Sequence, residues 1–311
     1  MRLVSYNVRY FGHALKGLAS TATSKQGIAD AIASLTPLAD VIALQEVETK
    51  SIRSTAAHRG APPAETQLDA FMRHLEATMQ RRGVPMPYSA FYFPAHVYGV
   101  GPLKVYTTGL AILVNQQTVN VLKGNSDQPF DITHRTERTI RRIKQTRIAA
   151  HLHLEDTKGH AFHLFNTHLS LPTPWAKEFW SQKVKMGHGK NQLTEARAVS
   201  DYAKHVAHRE PYLIVGDFNS APATPVYELL TREAKLQGAQ EVLKQIDAGR
   251  PDSFSTAGFM QLRMHLDHIF GRGVEFADLR DTHAFGDEVS RFHGLSDHVP
   301  LITCFEPARV S

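Results

Sequence analysis

Eight residues in this chain have side chains suited to chemistry and stand at or within apolar runs: Asn7, Glu46, His168, Asp217, Asn219, Asp267, Asp297 and His298. Leu3–Tyr6 lead into Asn7, Val41–Gln45 into Glu46 and Phe162–Thr167 into His168. Asp217 and Asn219 follow Tyr212–Gly216, Asp267 interrupts Leu262–Phe270, and Asp297 with His298 precedes Val299–Phe305. A lone carboxylate or amide at a strand end is usually a turn former. Six such termini carrying acids, amides and imidazoles are more than turns require. Strand ends on one rim of a sheet converge in space, and sites are commonly built there. Carboxylate and amide oxygens suit a hard divalent cation, Mg²⁺ or Mn²⁺ rather than zinc. Such an ion offsets the charge that builds when a phosphate ester is attacked. An Asp oriented by an Asn can activate water, and histidines can donate to phosphoryl oxygens or protonate a leaving oxygen.

The elements that must position these groups read as short strands interleaved with helices. Apolar, strand-like runs recur at Leu3–Val8, Val41–Gln45, Tyr88–Phe93, Gly109–Val114, Val119–Leu122, Ile148–Leu154, Phe162–Thr167, Tyr212–Gly216, Leu262–Phe270, Phe276–Asp281 and Val299–Phe305. The apolar residues Ile28, Ala31, Ile32 and Leu35 recur at helical spacing until Pro37, and Leu68, Phe71, Met72, Leu75 and Met79 form a stripe that Gly83 ends. Leu193, Ala196, Val199, Ala203 and Val206 mark a third amphipathic helix, and Thr224-Pro225 reads as a helix cap and first turn. Strands outnumber helices, yet helices occur throughout, which favours an α/β sandwich of mixed or antiparallel sheets over a doubly wound parallel fold. The chemical residues run from position 7 to 298, so a division of the chain would split the site. One catalytic domain over 1–311 is expected.

Six segments occur in a familiar order: Ser5-Tyr6-Asn7-Val8, Leu44-Gln45-Glu46-Val47, Asn166-Thr167-His168-Leu169, Gly216-Asp217-Phe218-Asn219, Leu266-Asp267-His268-Ile269 and Ser296-Asp297-His298-Val299-Pro300. Together they closely resemble the motifs of the endonuclease/exonuclease/phosphatase superfamily. The resemblance implies a four-layer α/β sandwich, two mostly antiparallel sheets packed face to face with helices outside. It also implies a metal-dependent phosphate-ester hydrolase using in-line attack of water. Glu46 would be the principal metal ligand, with Asn7 and Asp297 near the metal and phosphate. Asp217 would orient or deprotonate the water, Asn219 would bind a phosphoryl oxygen, Asp267 would pair with His298, and His168 would face the phosphate from the other side. Each histidine should then lie beside a phosphate or carboxylate, which favours the imidazolium. The acidic support of His168 has no sequence signal.

A phosphodiesterase or nuclease is the leading expectation. A sphingomyelinase-like phospholipid phosphodiesterase and a soluble phosphomonoesterase are alternatives, and a non-catalytic anion-binding scaffold is one of another class. His168 within Asn-Thr-His-Leu resembles deoxyribonucleases, deadenylases and neutral sphingomyelinases, and separates the chain from apurinic-site endonucleases. Arg263-Met264-His265-Leu266-Asp267 departs from the inositol-polyphosphate 5-phosphatase pattern. Arg263 could approach the site or make a surface ion pair. His151-Leu152-His153 begins like a metallo-β-lactamase motif, but Leu154, Glu155 and Asp156 break it. Alternation puts both histidines on one strand face, expected to be solvated or partner-facing. His265 and His268 are expected at the surface or behind the site.

The chain has 311 residues and a net charge of +5. Arg135, Arg138, Arg141, Arg142, Lys144 and Arg147, set against Glu137, carry as much net charge as the whole chain. A solvated loop explains any one of them. As a cluster they suggest a phosphate-facing surface, with Arg141 and Arg142 as substrate contacts and nucleic acid as one candidate substrate. Both tryptophans, Trp175 and Trp180, lie between Leu169 and Lys190 among Phe179 and several lysines. They suit core packing, base stacking or a lipid interface, and Trp175 is a candidate substrate contact. The single cysteine, Cys304, excludes an intrachain disulfide and is expected in a buried strand. No apolar stretch is long enough to span a bilayer, and no export signal is evident at Met1–Val8. A cytoplasmic protein is expected.

Overall fold

The computed structural model describes residues 1–9, 22–51, 66–100, 103–134, 146–172, 186–246, 253–259 and 262–308. Two large sheets face each other. The first runs β14 (Val274–Asp278), β15 (Leu301–Pro307), β1 (Arg2–Asn7), β2 (Val41–Ser51), β4 (Leu103–Asn115) and β3 (Tyr88–Val100). The second runs β10 (Gln237–Gly238), β13 (Asp267–Arg272), β9 (Tyr212–Asp217), β8 (Ala161–His168), β7 (Ile148–Asp156) and β5 (Val119–Gly124), with β6 (Phe130–Asp131) also on β7. Each large sheet contains one parallel pair, β1 with β2 and β8 with β9, among antiparallel neighbours. A small ribbon joins β11 (Ala257–Phe259) to β12 (Leu262–Met264).

The central strands are apolar on both faces because both faces are covered. Leu3, Val41, Ala43, Leu152, Leu164, Leu213, Val215 and Ile269 fill the space between the sheets. Their sequence neighbours Val4, Ile42 and Leu44 point outward against α1 (Ala22–Ala33) and α2 (Gln67–Arg81). On the other side Phe165, Tyr212 and Ile214 pack under α3 (Lys190–Ala207) with Ala196, Val199 and Ala203. The four-layer order is thus helix, sheet, sheet, helix, as the alternation of period two requires. The Thr66 side chain and Asp69 form a capping box at the start of α2.

Several boundaries differ from the sequence reading. β3 and β4 extend beyond their apolar runs as one long hairpin, from Tyr88 to Asn115, because backbone pairing continues where the side-chain pattern stops. The run Leu262–Phe270 is two strands, not one: β12 belongs to the small ribbon, and β13 enters the second large sheet at Asp267. Thr224 occupies a cap position without capping through its side chain. Its hydroxyl instead donates to the Ala221 carbonyl at 2.7 Å. Only one turn, α4 (Pro225–Glu228), follows before the helix widens over Leu229–Glu233. Cys304 lies in β15 but is half-buried, not fully enclosed.

Candidate active site

Strand register brings three of the chemical residues into one row. His168 on β8 is the partner of Asp217 on β9, and Asp217 is the partner of Asp267 on β13. Directly opposed residues share a sheet face, so an imidazole and two carboxylates stand side by side at the rim. The facing sheet delivers Asn7 at the end of β1, paired with Gln45 on β2. Asn7 Nδ2 donates to Asp217 Oδ2 at 3.0 Å across the gap between the sheets. It also lies 3.5 Å from Glu46 Oε1.

Glu46 is aimed by a bulge. Leu44 pairs with Ala111 and Val47 with Gly109, so β2 spends one extra residue against β4. Glu46 takes φ 55°, a left-handed value uncommon outside glycine. Bulges re-aim side chains at sheet rims, and here the result is a carboxylate whose Oε1 is 3.9 Å from His168 Nε2. Gln45, fully buried, donates to Asn166 Oδ1 at 2.8 Å, and Asn166 donates to the Leu44 carbonyl at 3.0 Å. These bonds tie the second sheet to the bulged strand of the first.

Asp217 and Asn219 form a tight turn after β9. Asp217 Oδ1 accepts from the Asn219 backbone N–H at 2.8 Å, an Asx turn. Asn219 adopts φ 47°, which asparagine tolerates better than most residues. Its Nδ2 donates to the Leu169 carbonyl at 2.9 Å and lies 3.3 Å from His168 Nε2. Gln192 at the start of α3 holds the turn by donating to the Asn219 carbonyl at 2.7 Å. Immediately before Asp217, Gly216 has φ 141°, and a Cβ there would lie 1.9 Å from the Thr167 carbonyl oxygen. Gly216→Ala should therefore destabilise the fold by about 3 kcal/mol, from overpacking combined with backbone strain. A urea midpoint unchanged from the parent protein would contradict this.

The second imidazole is held by Asp267. His298 Nδ1 lies 2.8 Å from Asp267 Oδ2, and its Nε2 is 3.8 Å from Asp217 Oδ2. Asp267 Oδ2 also accepts from the Thr256 hydroxyl at 2.6 Å, while that hydroxyl oxygen accepts the Leu266 and Asp267 N–H groups. Ser296 donates to the Asn7 carbonyl at 2.8 Å, joining the loop that carries Asp297 and His298 to the end of β1. Asp297 pairs with the Arg9 guanidinium. His168 Nε2 is 3.5 Å from Asp217 Oδ2, so Asp217 stands between the two histidines.

The electrostatics separate the two rings. Burial alone would lower the His298 imidazolium, but the Asp267, Asp217 and Asp297 carboxylates outweigh it and raise its pKa to about 10. Burial lowers His168 well below the usual imidazole value, and the charges of Arg147 and His298 add to that. The surroundings in the ligand-free protein therefore favour the imidazolium at His298 and oppose it at His168, because His168 is enclosed and faces cations. Burial also raises Asp217, with Asp267 adding to the rise and His298 and the Asn219 N–H opposing it. Glu46 rises for the same primary reason, opposed by His298 and pushed further by Asp297.

Crowded, buried oxygen anions of this kind would be relieved by a cation. Glu46 with Asn7 beside it offers hard oxygen donors on the cleft that Thr108, Arg147 and His168 also line. Atoms of Asp217, Asp267 and His298 also lie within 4.8 Å of one another. Asp267 Oδ2 there is already bonded to the His298 ring and the Thr256 hydroxyl, which makes that trio a hydrogen-bonded relay before a cation cage.

The structure thus brings together Asn7, Glu46, His168, Asp217, Asn219, Asp267 and His298, with Asp297 at the edge on Arg9. Arg141, Arg142 and Trp175 lie outside the described residues, as does Trp180. Arg263 sits in the exposed ribbon with its guanidinium 5.0 Å above the Phe285 ring. Sequence reasoning gave no role to Arg9, Gln192, Thr256 or Ser296. Ser296 stood inside one of the six motifs, whereas Thr256 carried no signal. Of the two places expected for His265 and His268, the surface is ruled out: they are each 1% exposed and stack on one another. His151 is buried and His153 half-buried, contrary to a solvated face, because α3 covers that side of β7.

A family model described as "Endonuclease/Exonuclease/phosphatase family" matches residues 4–298. The human Nocturnin catalytic domain is similar in structure, with TM-score 0.61 and 18% identity over 98% of this chain and 93% of that one. ANGEL2, a 2',3'-cyclic phosphatase, aligns with TM-score 0.64 and 17% identity over 98% of this chain and 94% of that one. The Bacteroides thetaiotaomicron mannosyl-6-phosphatase Bt3783 aligns with TM-score 0.58 and 15% identity, covering 98% of this chain and 99% of its own. At such identities the likeness is one of fold. No curated protein sequence matches the chain.

Proposed function

The chain belongs to the endonuclease/exonuclease/phosphatase family of phosphoester hydrolases, and from that premise we propose that it is a divalent-metal-dependent phosphodiesterase acting by in-line attack of water. The observation that carries the reading is the placement of Asp217 between His168 and His298, within 3.0 Å of Asn7. Glu46 would hold Mg²⁺ or Mn²⁺, with Asn7 and Asp297 beside it. When bound, the ion offsets charge on the phosphoryl oxygens and polarises the phosphorus.

The chain's own groups supply the proton chemistry. Asp217 has a raised affinity for protons and accepts one from the attacking water. Its carboxylate is fixed by Asn7 and by the Asn219 N–H, so water activation needs no reorganisation of the turn. His298, protonated through the neutral range, donates to a phosphoryl or leaving oxygen, and Asp267 holds its Nδ1 side. His168 and Asn219 contact the phosphate from the other side. Arriving phosphate charge would favour protonation of His168, which the ligand-free surroundings oppose. Since Asn7 and His298 serve one centre, residues 1–311 act as a single catalytic domain.

Nucleic acid is the substrate class we favour, with Arg141, Arg142 and Trp175 proposed to extend the contact. The test is a panel of single-stranded DNA, RNA, sphingomyelin, inositol phosphates and a sugar monophosphate, each with Mg²⁺ and with Mn²⁺. Cleavage of an oligonucleotide with the highest kcat/KM supports the proposal. Preference for sphingomyelin or for a monoester replaces it with the corresponding alternative.

A further inference from the structure

At the opposite end of β8 from His168, a second cluster gathers that phosphoester hydrolysis does not use. His153 on β7 and His163 on β8 are direct cross-strand partners. Their rings stack at 4.2 Å with an interplanar angle of 4°. Glu210, in the turn between α3 and β9, places Oε2 2.8 Å from His163 Nε2 and 2.9 Å from His153 Nε2. One carboxylate oxygen thus faces two imidazole nitrogens. The His153 Nε2 is buried and makes no hydrogen bond despite this proximity, because the geometry is wrong for one. His163 Nδ1 is 2.8 Å from His151 Nε2, which fixes the orientation of the His163 ring. His163 and His168 are five residues apart on one strand, about 16 Å, so the two clusters are separate.

We propose that His153, His163 and Glu210 form a binding site for a transition-metal dication of the zinc class. Two imidazoles and one carboxylate are a ligand set for such an ion, with an open position left for an exchangeable ligand. The ligand atoms of the three residues lie within 4.8 Å of one another. Around a tetrahedral ion they would stand about 3.3 Å apart at ordinary zinc bond lengths. Loading an ion requires Glu210 to withdraw by a few tenths of an ångström from its present 2.8 and 2.9 Å contacts. It also requires the half-buried His153 ring to turn out of the stack, because each nitrogen lone pair lies in its ring plane and parallel planes do not meet at one ion. The Glu210 side chain is 40% exposed and free on the groove side to withdraw. The orphaned His153 nitrogen would gain a partner, and His151 would stand behind His163 as an orienting group, as is usual for metal-bound imidazoles. The groove of about 720 Å³ outside, bordered by Tyr202 and His208, admits the ion and its remaining ligand.

The test uses full-length protein, stripped with chelator and returned to saturating Mg²⁺, titrated calorimetrically with Zn²⁺. Wild type and Glu46→Gln should each bind one equivalent that Mg²⁺ does not displace. In Glu210→Gln and His153→Ala that equivalent should weaken at least about 100-fold, beyond the scale of a lost supporting bond. Turnover in Mg²⁺ should be unchanged in Glu210→Gln. X-ray absorption on zinc-loaded Glu46→Gln provides a readout that needs no change at the cluster, and should give two imidazole neighbours. Wild-type zinc affinity in folded Glu210→Gln, or an absorption spectrum without two imidazoles, overturns the proposal.

Discussion

His298→Ala should lower phosphodiester turnover by about 10²–10⁴-fold, the usual scale for a positioned acid or base. The ring stands 3.8 Å from Asp217 and is kept protonated by Asp267, Asp217 and Asp297 against its own burial. Asp267→Asn isolates the electrostatic part of this effect, since it keeps the shape and removes a charge. The raised His298 pKa should then fall, and the alkaline limb of kcat/KM should move to lower pH. His168→Ala should also be severely impaired. The double variant should lose less than the product of the two single losses, because groups serving one transition state are not additive. Near-normal turnover in either single variant removes that ring from the centre. An alkaline limb unmoved in Asp267→Asn shows that Asp267 does not set the His298 charge.

Acidification of the metal-free protein should be as damaging to the fold. Burial lowers His151 to about 3 and His265 to about 4, and it also lowers His163, His168 and His268. In the unfolded chain each takes a proton near pH 6.5. Between pH 6.5 and 5 the unfolded state therefore binds protons that the native state refuses, and stability falls as pH falls. Glu46 and Asp217 act in the opposite sense, because their raised native pKa values let the folded state hold protons that the unfolded state releases. His298, protonated in the native state throughout, acts in that same sense near pH 6.5 and drops out toward pH 5, where the unfolded chain is protonated as well. Five histidines against two carboxylates leave a net loss of stability on acidification, smaller where water still screens His163. Total stabilities are about 5–15 kcal/mol, so the unfolding midpoint in chelator should drop steeply between pH 6.5 and 5. A flat urea midpoint over that interval would show that these rings titrate normally.

Much of the architecture was legible because strands covered on both faces must be apolar throughout, as in Val41–Leu44 and Leu213–Val215. The endings of those runs marked the rim, and register then set His168, Asp217 and Asp267 in one row. The supporting groups were not legible. Thr256 reaches Asp267 across the sandwich edge, and Gln192 reaches Asn219 from the start of a helix, contacts that no local pattern encodes. Glu46 stood out by type, but the bulge that turns it depends on its pairing with β4. The histidines on β7 and β8 illustrate the converse. Alternation placed His151 and His153 on one face correctly, while whether α3 covered that face was a matter of packing.

Metal dependence is tested most directly by the turnover of bis-(p-nitrophenyl) phosphate in chelator, then as Mg²⁺ or Mn²⁺ is returned, for wild type and for Glu46→Gln. Glu46 lies 3.5 Å from Asn7 and 3.9 Å from His168, on the cleft side of the bulge. The wild-type protein should lose all activity in chelator and recover it on addition of either ion. Glu46→Gln should remain folded and require at least about 10–100-fold more metal for half-maximal turnover. Activity that persists in excess chelator, or a Glu46→Gln variant with the wild-type metal requirement, would contradict the proposed chemistry.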